Sequence, residues 1–351
     1  MLEPKTNISL AELSTIGLGG KAKYFFDVET KDQIREVLDW CQEKNTNYLV
    51  VGGLSNILFS DHDFEGAIIR PTVQDIVVTD QSEDAWTVKV HAGHDWDAFV
   101  LWSIENDLSG IECLSGIPGK VGASPIQNIG AYGQEVSQTI VEVEIFDIYK
   151  KEFKTLSGEE CQFSYRNSKF KMAEEFKDIV WSVTFKLKPF GDPLIKYTDL
   201  LKRAKSNHGL KQKPAGKERL LALRNTVLEI RKEKSMVLHK RDKNSRSLGS
   251  FFLNPIIDKK TFEELTKLFA DKELPYFSTE GGYKISAAWL MEQAGFHKGY
   301  EHKGVGLSKN HCLAIVNHDG TTKQVKELAN IIQTTIEDKY GVTLKPEPNF
   351  V

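Results

Sequence analysis

A chain of 351 residues, 40% hydrophobic and 27% charged, carries enough apolar sequence for two or three domains with real cores, which excludes a disordered protein. The formal net charge of -3 gives no global attraction to nucleic acid or to an anionic membrane. The opening "MLEPKTNISLAEL" has no basic segment followed by an apolar core, and no later stretch approaches the roughly 18 apolar residues of a membrane span, so a soluble, cytoplasmic protein is expected. Cys41, Cys113, Cys161 and Cys312 lie far apart with no CxxC and no clustered histidines, so neither a metal site nor a disulfide framework is expected.

From about residue 22 to 190, β-type runs ("AKYFFDV", "NYLVVGG", "GAIIR", "DIVVTD", "WTVKVHAG", "IVEVEIFDI", "IVWSVTFKLK") alternate with helical patterns over 31–44 and 95–106. This half reads as α+β. In the first helix Ile34, Val37, Leu38 and Cys41 share one face, which predicts that it covers a sheet. "KPFGDP", 188–193, concentrates turn residues and predicts a boundary between a first domain, 1–190, built of two α+β subdomains, and a second, 191–351. The second half is helix-richer, with helices expected at 217–234, 259–269, 285–294 and 321–340 and strands at 312–317 ("CLAIVN") and 342–344 ("VTL").

"IPGKVGASPIQNIGAYG", 117–133, packs four glycines and two prolines into one short stretch. Such density opposes helix and strand alike, and fits either a pair of tight turns or a main chain lying directly against a flat ligand. "VVGGLSNILFS", 50–60, is neither a GxGxxG fingerprint nor a P-loop. Its glycine turn is either a plain β-turn or a nest of backbone N–H groups for a pyrophosphate, with Ser55 and Asn56 adding hydrogen bonds. Between Lys202 and Arg246, 15 basic residues stand against 4 acidic ones. Lys217, Arg224 and Arg231 recur every seven residues and Lys234 follows by three, which makes a basic stripe suited to a phosphate pair, or a solvated basic helix. The absence of Phe, Tyr and Trp from 202–246 removes the stacking platforms that a nucleic-acid site needs.

Taken together, "GGLSN" at 52–56, the 117–133 segment, "YRNSKFK" at 165–171, "GSFFLNP" at 249–255 and "LKPEP" at 344–348 resemble, in order and spacing, the UDP-N-acetylenolpyruvoylglucosamine reductase (MurB) family, from Ser14 to Glu347. The resemblance implies an FAD-binding domain of the vanillyl-alcohol-oxidase/p-cresol-methylhydroxylase type followed by a MurB-type C-terminal substrate domain. It implies that NADPH reduces FAD, and that the reduced flavin passes hydride to UDP-N-acetylglucosamine enolpyruvate to give UDP-N-acetylmuramate.

On this resemblance Gly52, Gly53, Leu54, Ser55 and Asn56 hold the pyrophosphate, and Pro118, Gly119, Gly122, Ser124, Gln127, Asn128 and Gly130 wrap the flavin. Arg166 neutralises the developing charge, Glu347 polarises or positions the same group, and Ser250 delivers the proton. Tyr165, Tyr197, Arg231, Lys234, Asn254 and His311 bind the substrate, Tyr197 matching the closing tyrosine of one of the family's two types. No histidine or cysteine stands at an obvious flavin-linking position, so FAD is expected to be non-covalent; the protein is also expected to be a monomer. Two departures stand out: "KEKSMVLHKRDKNSRS" follows Arg231 where some relatives have Lys-Leu-Pro, and proline follows Glu347 where others have valine. A flavin oxidase of a small alcohol or hydroxy acid would share the first domain without needing the basic stripe.

Overall fold

The β-type runs of the first half become two sheets. Lys21–Val28, Phe64–Pro71 and Tyr48–Val50 lie side by side in parallel. Glu152–Ser157, Ile140–Asp147, Ile179–Pro189, Trp86–His91 and Ile76–Gln81 form an antiparallel sheet in that order. Its central strand, Ile179–Pro189, is buried at nearly every position, the polar Ser182 and Thr184 included. The Lys31–Glu43 helix starts at a capping box of Thr30 and Gln33 and presses Ile34, Val37 and Cys41 between the sheets, against Phe26, Val28 and Ile69 of one and Phe146, Ile179 and Trp181 of the other. The Trp96–Glu105 helix, capped by Asp95, packs Trp96, Phe99, Val100 and Ile104 onto Val88, Val90, Val183 and Phe185.

The computed structural model describes residues 2–172, 178–192, 195 and 197–351. Packing divides the chain into two units: one holds the chain up to Ile8 with Ala22–Leu54 and Phe64–Val237, the other Ser9–Lys21, Ser55–Asp63 and Leu238–Val351. The first unit therefore runs on past the turn residues at 188–193, to Val237. The reason is packing beyond the "KPFGDP" turn: Leu200 and Ala204 of a helix Thr198–His208, absent from the sequence reading, join Ala222, Leu223, Val227 and Ile230 of Lys217–Glu233 around Cys113. The change in composition at that point marks a change of element type and not the end of a core.

In the second unit, Glu301–His302, Val305–Leu307 and Ile315–Asn317 form one antiparallel sheet, and Ile256–Ile257, Gly282–Ile285 and Tyr276–Thr279 another. Helices Lys259–Leu268, Ala287–Ala294 and Thr322–Tyr340 cover a core that includes Phe251, Phe252, Leu290, Met291, Ile315, Leu328 and Ile332. The "VTL" segment forms no strand. Val342 and Leu344 are buried in the core, and the pairing comes later, through a Phe252–Pro346 bridge and Asn349–Phe350 running parallel to Ile57–Leu58. All four cysteines are buried and unbridged. Among the described residues no helix is long and apolar enough to cross a membrane.

Candidate active site

In the first unit the glycine turn after Tyr48–Val50 lies directly on the 117–133 segment. A Cβ at Gly53 would stand 2.8 Å from the Gly119 Cα, so only glycine lets the two main chains meet. A cavity of about 120 Å³ opens beside them, lined by Val51, Gly52, Ala92, Gly122, Ala123 and Ile126 among others. Ser124, 1% exposed, holds its Oγ without a hydrogen-bond partner. An orphaned buried hydroxyl costs about 1–3 kcal/mol, and in a segment of bare backbone it is the mark of a place shaped for a polar ligand. Leu54, Asn128, Tyr132 and Arg166 adopt left-handed backbone angles (φ 52, 44, 50 and 53°), as do residues elsewhere in the chain such as Asn45 and Lys303.

Arg166 stands at the corner of a tight turn in which Ser164 and Asn167 exchange backbone hydrogen bonds of 3.0 Å. Its guanidinium donates to the carbonyls of Asn128, at 3.5 Å, and Gly130, and sits 5.6 Å from the Tyr165 ring centre. Arg166 thereby fastens the glycine-rich loop. Asn128 does the same from inside: its Nδ2 donates to Glu135 Oε2 and the Ser164 carbonyl, and its Oδ1 accepts from the Ser137 N–H. The Asn128 side chain thus builds the loop.

The basic stripe divides into three environments. Lys217 is exposed, and its backbone N–H donates to Asp107 Oδ1 at 2.6 Å. Arg224 is buried in a two-pronged ion pair with Asp97, at 2.6 and 2.7 Å. Arg231 is 8% exposed; its Nη2 donates to the Met236 carbonyl at 2.9 Å, and its Nε has no hydrogen-bond partner. Burial pulls its pKa below the ordinary arginine value, opposed by Tyr132 and Asp97. Lys234 is exposed at the end of the same helix. Tyr197, about half exposed, meets Tyr132 edge to face with ring centres 6.1 Å apart.

The second unit gathers a different set. Phe251 donates its N–H to the Leu313 carbonyl at 2.7 Å, and the Glu347 N–H donates to the Phe251 carbonyl at 2.8 Å, so "GSFF", "KNHCL" and the terminal segment run side by side. Ser250 Oγ comes 3.4 Å from His311 Nε2, and Asn56 Nδ2 donates to the Glu347 carbonyl at 3.3 Å. Ser250, His311, Glu347 and Asn56 thus converge although up to 291 positions separate them in the chain. The GGLSN motif is split, with Leu54 in the first unit and Ser55 in the second. Asn254 uses its Oδ1 to accept from the Ala287 N–H at 3.0 Å and so fixes the start of the Ala287–Ala294 helix.

The comparisons with known proteins bear on the same segments. A family model described as FAD binding domain matches residues 22–150, and one described as the C-terminal domain of UDP-N-acetylenolpyruvoylglucosamine reductase matches 240–351. The UDP-N-acetylenolpyruvoylglucosamine reductase of Thermobifida fusca is 39% identical over 98% of this chain and 97% of its own. The chain belongs to the UDP-N-acetylenolpyruvoylglucosamine reductase family. The reductase of Salinispora arenicola is 35% identical over 100% of this chain and 96% of its own. The MurB crystal structure from Thermus caldophilus shares the fold, with a TM-score of 0.66 and 23% identity over 100% of this chain and 99% of that one.

The protein is therefore a flavin-dependent oxidoreductase of the MurB family, with an FAD-binding domain followed by a MurB C-terminal domain, as its motifs implied. The bare-backbone contact at Gly53 and the orphaned Ser124 hydroxyl fit the cofactor. Gly53→Ala forces the two loops apart; overpacking of this kind costs about 1–3 kcal/mol, so FAD affinity is expected to fall roughly 5- to 150-fold. Titration of the apoprotein with FAD measures it, and unchanged affinity would remove the 52–53 turn from the cofactor site.

Proposed function

We propose that the protein reduces the enolpyruvyl group of UDP-N-acetylglucosamine enolpyruvate to UDP-N-acetylmuramate in the cytoplasm, for peptidoglycan synthesis, acting as a monomer with NADPH as reductant and FAD held without a covalent bond. The observation that carries this reading is the convergence of Ser250, His311, Glu347 and Asn56 from four separate segments of a chain whose full-length relatives bear the reductase name.

When bound, FAD would supply the hydride chemistry, relaying reducing equivalents from NADPH to the methylene carbon of the substrate. The N–H groups of Gly52–Leu54, with Ser55 and Asn56, would hold its pyrophosphate, and Pro118–Gly130 would hold the flavin, giving the Ser124 hydroxyl a partner. Arrival of hydride moves the double-bond electron pair onto the neighbouring carbon and its carboxylate, which becomes an enolate. Arg166 neutralises that charge and Glu347 orients the group. Ser250 donates its hydroxyl proton to the carbanionic carbon. A serine hydroxyl is a weak acid, and His311, 3.4 Å away, orients it and shares the relay that restores its proton. Tyr165, Tyr197, Arg231, Lys234 and Asn254 bind the UDP-sugar, the two cations taking its diphosphate. The Thr198–His208 and Lys217–Glu233 helices would then serve substrate binding while packed on the FAD-binding unit.

The purified protein is expected to be yellow and to release its flavin into the supernatant on acid or heat treatment. Flavin that stays with the precipitated chain would refute non-covalent binding. A colourless folded preparation that FAD does not reconstitute would refute the whole reading.

A further inference from the structure

We infer that Asp97 is a positioning residue: by holding the Gly116 turn it sets the buried Arg231 guanidinium at the diphosphate of the UDP-sugar. Asp97 lies in the first turn of the Trp96–Glu105 helix, and its Oδ1 accepts the Gly116 N–H at 2.6 Å. The same carboxylate takes both prongs of Arg224, so its orientation is fixed from two sides. Gly116 adopts φ +73°, and a Cβ there would stand 3.3 Å from Arg231 Nε and 2.7 Å from Leu228 Cδ2, so the turn forms one wall of the Arg231 slot. Along the Lys217–Glu233 helix, Arg224 and Arg231 lie two turns apart with one carboxylate between them. Arg224 takes that carboxylate in two direct hydrogen bonds, so Asp97 reaches Arg231 as a nearby charge, and the buried Arg231 keeps its Nε unpartnered. A buried cation in that state asks for an anion. What decides whether the anion fits is the wall that the Asp97–Gly116 bond holds in place.

The inference rests on the reading that Arg231 meets the substrate diphosphate, and two double variants test it without leaving a buried charge alone. Asp97→Asn with Arg224→Met removes the ion pair as a pair and keeps an acceptor for the Gly116 N–H. Asp97→Ala with Arg224→Met removes the acceptor as well. Both are measured as holoenzymes, by calorimetry with UDP as the diphosphate probe and by steady-state kinetics. The alanine-bearing variant is expected to bind UDP and to show a KM for the enolpyruvyl sugar at least ~10-fold weaker than the asparagine-bearing one, with kcat and the rate of flavin reduction by NADPH within about threefold. The asparagine-bearing variant is expected to stay within about threefold of the unaltered protein in all of these. Equal UDP affinity in the two variants overturns the inference. So does a parallel loss of flavin or of NADPH reduction in the alanine-bearing variant, which would make Asp97 a support of the cofactor loop instead. An unaltered protein that binds UDP but leaves the enolpyruvyl sugar unreduced would overturn the proposed function alone, and the difference in UDP affinity would still decide the role of Asp97.

Discussion

Ser250→Ala is expected to keep its FAD and to be reduced by NADPH at close to the normal rate, while its re-oxidation by the enolpyruvyl sugar slows about 10²- to 10⁴-fold, the usual worth of a positioned general acid. The two half-reactions share the cofactor, but only the second leaves a carbon that must be protonated. The substitution is also structurally mild. Ser250 is only partly buried, its Oγ contact to His311 is a long 3.4 Å, and the backbone bonds of neighbouring Phe251 to Leu313 and Glu347 do not involve the hydroxyl. Stopped-flow absorbance separates the steps. Equal slowing of both would make Ser250 a packing or flavin-site residue, and no slowing of either would remove the "GSFF" motif from the chemistry.

Arg231→Ala is expected to weaken the UDP-sugar roughly 10- to 150-fold, the loss of about 1.5–3 kcal/mol for a charge-assisted contact, with little change in the rate of hydride transfer at saturation. The direction follows from burial. A guanidinium that has given up water, donates to the Met236 carbonyl and keeps Nε unpartnered gains most from an anion that enters its slot. Binding by calorimetry and single-turnover kinetics read the two quantities separately. Normal sugar affinity with lost flavin would assign Arg231 to the cofactor.

The elements that sequence placed well were those whose pattern is local. Strand Ile179–Pro189 is dense in β-branched and aromatic residues, and Lys31–Glu43 shows its buried face at three-and-four spacing after a clear N-terminal cap. Thr198–His208 went unseen because only Leu200 and Ala204 of its eleven residues are buried, too few to make a stripe. The extent of the first unit is hidden for a related reason: turn residues at 188–193 are visible in sequence, whereas the packing of Leu223 and Val227 around Cys113 depends on the fold.

The site divides the same way. The glycine-rich loops stand out in the sequence because bare backbone has few uses at such density. The fates of Arg224 and Arg231 were not, since both lie on one helical stripe and differ only in a partner, Asp97, that stands 127 positions from Arg224. Asp97 itself looks like an ordinary acidic residue of a helix's first turn, just after the Asp95 cap. Tyr132, which packs on Tyr197 and faces Arg231, hid in the quoted segment as one more turn residue.

The central claim is that flavin on this chain carries hydride from NADPH to an enolpyruvyl sugar, with this chain's own groups finishing the chemistry. One anaerobic experiment tests it most directly: the holoenzyme is reduced with one equivalent of NADPH and mixed with UDP-N-acetylglucosamine enolpyruvate in deuterated water. The account predicts that the oxidised-flavin absorbance returns as UDP-N-acetylmuramate forms, with solvent deuterium at the carbon beside the carboxylate. Flavin that stays reduced until oxygen is admitted, with the sugar recovered unchanged, would contradict it.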